Sequence, residues 1–238
     1  MFYYDTRYIM MLLPVLAITL YAQWKVNSSF RRYSKVANRR RLTGAQAAQE
    51  VLRRHGVYDV RIERVRGNLT DHYDPKTNVI WLSESVYDSP TISAVGVAAH
   101  EAGHAVQYAV GYGPIQLRMA LIPVTQIGSQ FGVILLFAGI LLSIEPLFLI
   151  GILLFSLTTL FQLVTLPVEF NASRRALETI EDRALLDGEE LLGARKVLRA
   201  AALTYVAALL MSALQLLRYV LIFLGRGGRD NRRGGGRG

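Results

Sequence analysis

The chain has 238 residues; 52% are hydrophobic, none is cysteine, and the formal net charge is +9. The apolar residues gather into long runs with no polar face, which excludes an ordinary soluble domain and points to an integral membrane protein. Disulfides and thiolate metal sites are ruled out, and a basic excess without a nucleic-acid motif reads as membrane topology, with no nucleic-acid partner.

The first apolar run, Tyr8 to Trp24, contains Pro14 and has aromatic residues at both ends. Asp5 precedes it and no small-residue cleavage site follows, so residues 1–24 read as an uncleaved anchor and not as a signal peptide. Residues 25–120 resemble a small α+β unit. Thr43 to His55 reads as an amphipathic helix with Thr43 as cap and Gly56 as stop. Val60 to Val65 alternates and reads as a strand, Asp71 to Asn78 as a turn, and Val79 to Leu82 as a second strand. Thr91 to Val110 reads as a long helix.

From Leu121 to Leu166 the only ionisable residue is Glu145, followed by Pro146. That stretch is about twice what one helix needs to cross a bilayer, so residues 121–166 read as a transmembrane hairpin with Glu145-Pro146 at its tip. Pro167 is expected to open a new helix within a cytoplasmic segment, residues 167–200. Residues 201–224 read as a fourth span, carrying small residues (Ala207, Ala208, Ser212, Ala213) suited to close helix packing. The Gly/Arg tail, 225–238, has too little apolar content to fold.

Fourteen Lys/Arg fall between Lys25 and Arg118, six between Arg174 and Arg199, and none in the hairpin. The positive-inside rule places both polar segments in the cytoplasm and the hairpin tip outside. The arginines of the tail run against that assignment. The fold expected is mostly α and integral to the membrane, with about four transmembrane helices and a small cytoplasmic α+β unit.

The chemistry concentrates in Val97-Ala98-Ala99-His100-Glu101-Ala102-Gly103-His104-Ala105. Histidines four apart on a helix are separated by about 40° and one turn, so both imidazoles reach one metal ion from one face. Glu101 can lie beside a metal-activated water without ligating the ion, and can act as base and then acid. This is the H-E-x-x-H arrangement, with zinc as the single catalytic ion. Small residues around the motif leave room for close packing.

A catalytic zinc needs a third protein ligand. Glu169 is a candidate, at the end of the third span; Glu178, Glu181 and Asp182 compete with it further along a charged stretch. Asp71-His72-Tyr73-Asp74-Pro75 is either a plain turn or the source of an oxyanion donor, His72 or Tyr73. Val79 to Leu82 is a possible edge strand for binding substrate backbone.

The stretches Asn68 to Pro75, His100 to His104 and Pro167 to Ser173 resemble the neutral zinc metallopeptidase family of prokaryotic membrane proteins (YugP type) over nearly the whole chain. Their order is also similar to that of membrane gluzincins, including CAAX prenyl proteases and heat-shock membrane proteases. The resemblance implies a zincin-like catalytic unit with Glu169 as third ligand. Gluzincins usually place an aspartate four residues after that glutamate, to orient a ligand histidine; here the position is Ser173, and Asn171 could substitute. The expected activity is that of a zinc metalloendopeptidase acting on peptides or membrane proteins at the cytoplasmic face of the cell membrane. The alternative is a non-catalytic metal-binding membrane scaffold or sensor.

Overall fold

A computed structural model describes the backbone of residues 6–234 and the side-chain surroundings of residues 9–225. The protein is mostly helical. In chain order the elements are α1 (Thr6–Tyr33), α2 (Gly44–Arg54), β1 (Arg61–Val65), β2 (His72–Asp74), β3 (Val79–Ser83), α3 (Glu84–Tyr87), α4 (Ile92–Ala109), α5 (Gly113–Leu141), α6 (Glu145–Asp182) and α7 (Gly188–Gly234). Two compact units divide them. One contains Leu117–Val164 with the described residues before Leu20 and after Tyr205; the other contains Leu20–Gln116 and Thr165–Tyr205.

The first unit is apolar. Among the described residues, four helices are long and apolar enough to cross a membrane: Ile9–Tyr33, Gly113–Leu141, Glu145–Asp182 and Gly188–Gly225. Few residues of their apolar stretches are buried, which leaves a surface that a hydrocarbon solvent would cover. Leu136, Phe148, Ile152 and Phe155 form the core of this unit, with Tyr219 and Phe223 packed on it. Glycine permits the approach of α5 to α6: a Cβ on Gly139 would lie 2.5 Å from the Phe148 nitrogen, and one on Gly151 2.7 Å from the Leu136 nitrogen. The chain reverses between Leu141 and Glu145, where Ser143 has φ +57°.

The second unit has a conventional core. Thr43 and Gln46 form a reciprocal capping box that starts α2, and Gly56, at φ +70°, follows its end. The sheet order is β1-β3-β2, with β1 parallel and β2 antiparallel to β3. Val51 and Leu52 of α2, Ile80 and Leu82 of β3, Val95 and Val106 of α4 and Ile180 of α6 meet in one buried cluster. Thirteen of the 18 positions of α4 are buried, which its run of alanine and glycine allows.

Several expectations are corrected here. Val79 to Leu82 belongs to the central strand, not an edge. Its uninterrupted apolar run suits a strand covered on both faces, and β3 is buried along almost its whole length. The edge beside it is β2, which occupies part of the expected turn; the turn itself is narrower and closes on Asp74, which accepts from the Lys76 N–H and the Thr77 hydroxyl. Pro167 opens no new helix, for α6 runs through it unbroken. A proline forfeits one intrahelical bond, whereas a break would strand several backbone groups in apolar surroundings. The fourth apolar run likewise continues the helix that begins at Gly188. The Gly/Arg tail, expected not to fold, is helical as far as Gly234 because it extends an already formed helix, and residues 235–238 lie outside the described residues.

Candidate metal centre

Thr91 caps α4, its side chain accepting from the Ala94 N–H, and the helix then carries His100 and His104 to one side. Their rings stand 4.7 Å apart between centroids. Opposite them α6 presents Glu169, buried at 3% exposure. One carboxylate oxygen, Oε2, lies 3.3 Å from His100 Nε2 and 3.6 Å from His104 Nε2. The three donor atoms lie within 4.8 Å of one another. The competing carboxylates are engaged elsewhere. Glu178 pairs with Arg174, Glu181 with Arg195, and Asp182 with Arg54.

Gly103 makes this convergence possible. A Cβ there would stand 2.6 Å from the Ala172 carbonyl oxygen, so α4 and α6 touch backbone to backbone one turn from the ligand side chains.

Both histidines have a neutral partner on Nδ1. Ser173 Oγ lies 3.0 Å from His100 Nδ1, and Gln107 Oε1 lies 3.0 Å from His104 Nδ1. Gln107 Oε1 can only accept, so the His104 Nδ1–H donates to it, whereas the Ser173 hydroxyl takes either role and accepts from the His100 Nδ1–H when Nε2 binds a metal. Asn171 reaches no histidine directly. Its Oδ1 accepts from Gln107 Nε2 at 3.0 Å and from Arg175 Nε at 2.9 Å.

Glu101 accepts a hydrogen bond from the Tyr73 backbone N–H at 3.1 Å. Withdrawal from water pushes its carboxyl up to about 7, with Glu169 and Asp71 adding to the rise and His100 and the Tyr73 N–H opposing it. A dication beside it would draw that value down again. Asp71 ties β2 to the end of β3, accepting from the Ser83 N–H at 2.7 Å and the Ser83 hydroxyl at 3.1 Å.

Residues 8–224 match the family described as "Putative neutral zinc metallopeptidase". The chain is also 48% identical over 223 residues to "Putative membrane protease YugP" of Bacillus subtilis (strain 168), across 94% of this chain and 98% of that one. The chain belongs to the neutral zinc metallopeptidase family. No solved structure matches it.

The donor set fits the ion that the family name implies. Two ligands each about 2.0–2.2 Å from a tetrahedral zinc lie roughly 3.3–3.6 Å apart, and the two Glu169 contacts have that spacing. His100, His104 and Glu169 could therefore hold zinc, which leaves a fourth position open. Among the other candidates read from the sequence, His72 is exposed, with Nδ1 2.8 Å from the Thr70 carbonyl. Tyr73 meets the site through its main chain; its hydroxyl donates to Asn78 Oδ1 at 2.8 Å and its ring packs edge-on against Tyr108. Sequence reasoning missed Gln107 altogether. The available signal was an amide three residues past His104, alone among small and apolar neighbours on a metal-binding helix face.

Proposed function

We propose that this chain is a membrane-embedded zinc endopeptidase, built on a zincin-like unit, that hydrolyses peptide bonds of peptides or membrane proteins at the cytoplasmic face. The observation that carries the reading is the His100–His104–Glu169 cluster with Glu101 on the next residue of the same helix, held by the Tyr73 N–H. When bound, zinc polarises the scissile carbonyl and lowers the pKa of the attacking water to about 7. Glu101 takes the proton from that water as its oxygen bonds to the carbonyl carbon. The same carboxyl then hands the proton to the nitrogen as the C–N bond breaks, so one proton moves and an acid and an amine leave. Desolvation of Glu101 raises its affinity for a proton and so opposes the lowering that a neighbouring dication brings.

Glu101→Gln tests the mechanism. The amide cannot take a proton, so the variant should retain stoichiometric zinc and lose on the order of 10²–10⁴ in rate. Hydrolysis at the wild-type rate would refute the assignment, and an inert wild type that still binds zinc would favour the scaffold or sensor. The side of the membrane rests on the distribution of Lys and Arg. In intact cells, Lys76→Cys should resist an impermeant thiol reagent while Ile144→Cys is labelled. The reverse pattern places the site outside.

A further inference from the structure

We propose that Gln107 is the positioning residue for His104, and that a relay of hydrogen-bond polarity from Arg175 fixes which ring nitrogen faces the metal. The inference rests on the metal-site reading above. Gln107 has no exposed surface, so every polar atom of its amide must find a protein partner. Amides can flip; this one is held. Its Nε2 donates to the Val168 carbonyl at 2.7 Å and to Asn171 Oδ1 at 3.0 Å. A carbonyl oxygen can only accept. The Asn171 oxygen is itself set by Arg175 Nε, a group that can only donate. Two acceptors on α6 therefore dictate that the Gln107 nitrogen faces α6 and its oxygen faces His104.

The consequence passes to the imidazole. Gln107 Oε1 offers lone pairs to His104 Nδ1 at 3.0 Å, so that nitrogen must carry the proton. His104 Nε2 is left with its lone pair directed to the side where Glu169 Oε2 lies, 3.6 Å away. A partner on the outer nitrogen both orients a ligand histidine and raises its basicity. Gln107 supplies that service without charge. It also ties α4 to the stretch of α6 that begins one residue before Glu169.

Two variants separate positioning from mere clamping of the helices. Gln107→Leu removes the acceptor for His104 and the donor for α6. Gln107→Glu keeps an oxygen for His104 and gives up the amide N–H bonds to Val168 and Asn171. Zinc affinity is measured on the full purified chain by competition with a chromophoric chelator, without reference to hydrolysis. Gln107→Leu should bind zinc 10–100-fold more weakly, and Gln107→Glu should stay within about threefold of wild type, since its buried carboxyl, protonated towards the two acceptors on α6, still offers an oxygen to His104. Equal losses in both variants would make Gln107 a clamp only, and wild-type affinity in Gln107→Leu would remove any role; either result overturns the proposal. Nitrogen chemical shifts of histidine-labelled, zinc-loaded wild type decide the matter even if the leucine variant does not fold. His104 Nδ1 should be protonated with Nε2 on the metal, and the opposite assignment overturns the relay. A wild type that binds no zinc sinks the site reading and this inference together. One that binds zinc but cleaves nothing sinks the peptidase reading alone.

Discussion

In the apolar unit, Gly139 lets α5 come against the backbone of α6 at Phe148; in the polar unit, Gly103 lets α4 come against the backbone of α6 at Ala172. The device is the same and its work is different. Along the hairpin the approach improves packing, and the contact is shared with Gly128, Gly132 and Gly151. At Gly103 the approach sets the distance between Glu169 and two histidines, and a metal site tolerates only about ±0.2 Å. A displacement absorbed as packing strain in one unit becomes a lost ligand in the other.

The largest effect expected from this contrast belongs to the ligand itself. Glu169→Ala should abolish stoichiometric zinc binding, while Glu178→Ala and Glu181→Ala keep it, because those two carboxylates are exposed and paired with Arg174 and Arg195. Zinc content of the purified variants decides this. Metal retained by Glu169→Ala and released by another carboxylate variant would mean that the third ligand is misassigned.

The next effect tests the glycines directly. Gly103→Ala places a methyl group 2.6 Å from a carbonyl oxygen that cannot rotate away, so the helices must part and zinc affinity should fall at least tenfold. Gly139→Ala meets an equally unyielding backbone, yet the residues of the site all belong to the other unit. It should destabilise the folded chain by about 1–3 kcal/mol and leave zinc affinity unchanged. If the two alanines weaken zinc equally, hairpin packing and ligand spacing are not separable as argued.

The same contrast governs what the sequence revealed. Long apolar runs and the H-E-x-x-H spacing are local signals, and the four long apolar helices and the two histidines follow from them. Contacts across elements have no such signal. Nothing in Pro167 announces that surrounding helix continues through it, and a three-residue strand such as His72–Asp74 is shorter than its own pattern period can expose. Glu169 was one of four open carboxylates by composition. Folding separates it from the rest, since it alone of the four faces the histidines. Ser173 and Gln107 show the limit most clearly, because a neutral partner for a histidine has no sequence pattern comparable to the charged one it replaces.

The smallest effect expected distinguishes these two partners. Ser173 and His100 both keep contact with solvent, whereas Gln107 has none and His104 is the more deeply buried histidine. In Ser173→Ala a water can therefore take the place of the hydroxyl at His100 Nδ1. The loss should be no more than a neutral hydrogen bond contributes, about 0.5–1.5 kcal/mol, or roughly two- to tenfold in zinc affinity. Gln107 is fully buried, which hinders a water from replacing its oxygen, so Gln107→Leu should cost more. Ser173→Asp supplies the carboxylate that gluzincins usually carry at this position, and should hold zinc at least as tightly as wild type. Chelator competition on all three variants gives the ranking. If Ser173→Ala loses as much affinity as Gln107→Leu, solvent access does not govern the difference between the two histidines, and His100 depends on its hydroxyl partner as closely as His104 depends on its amide.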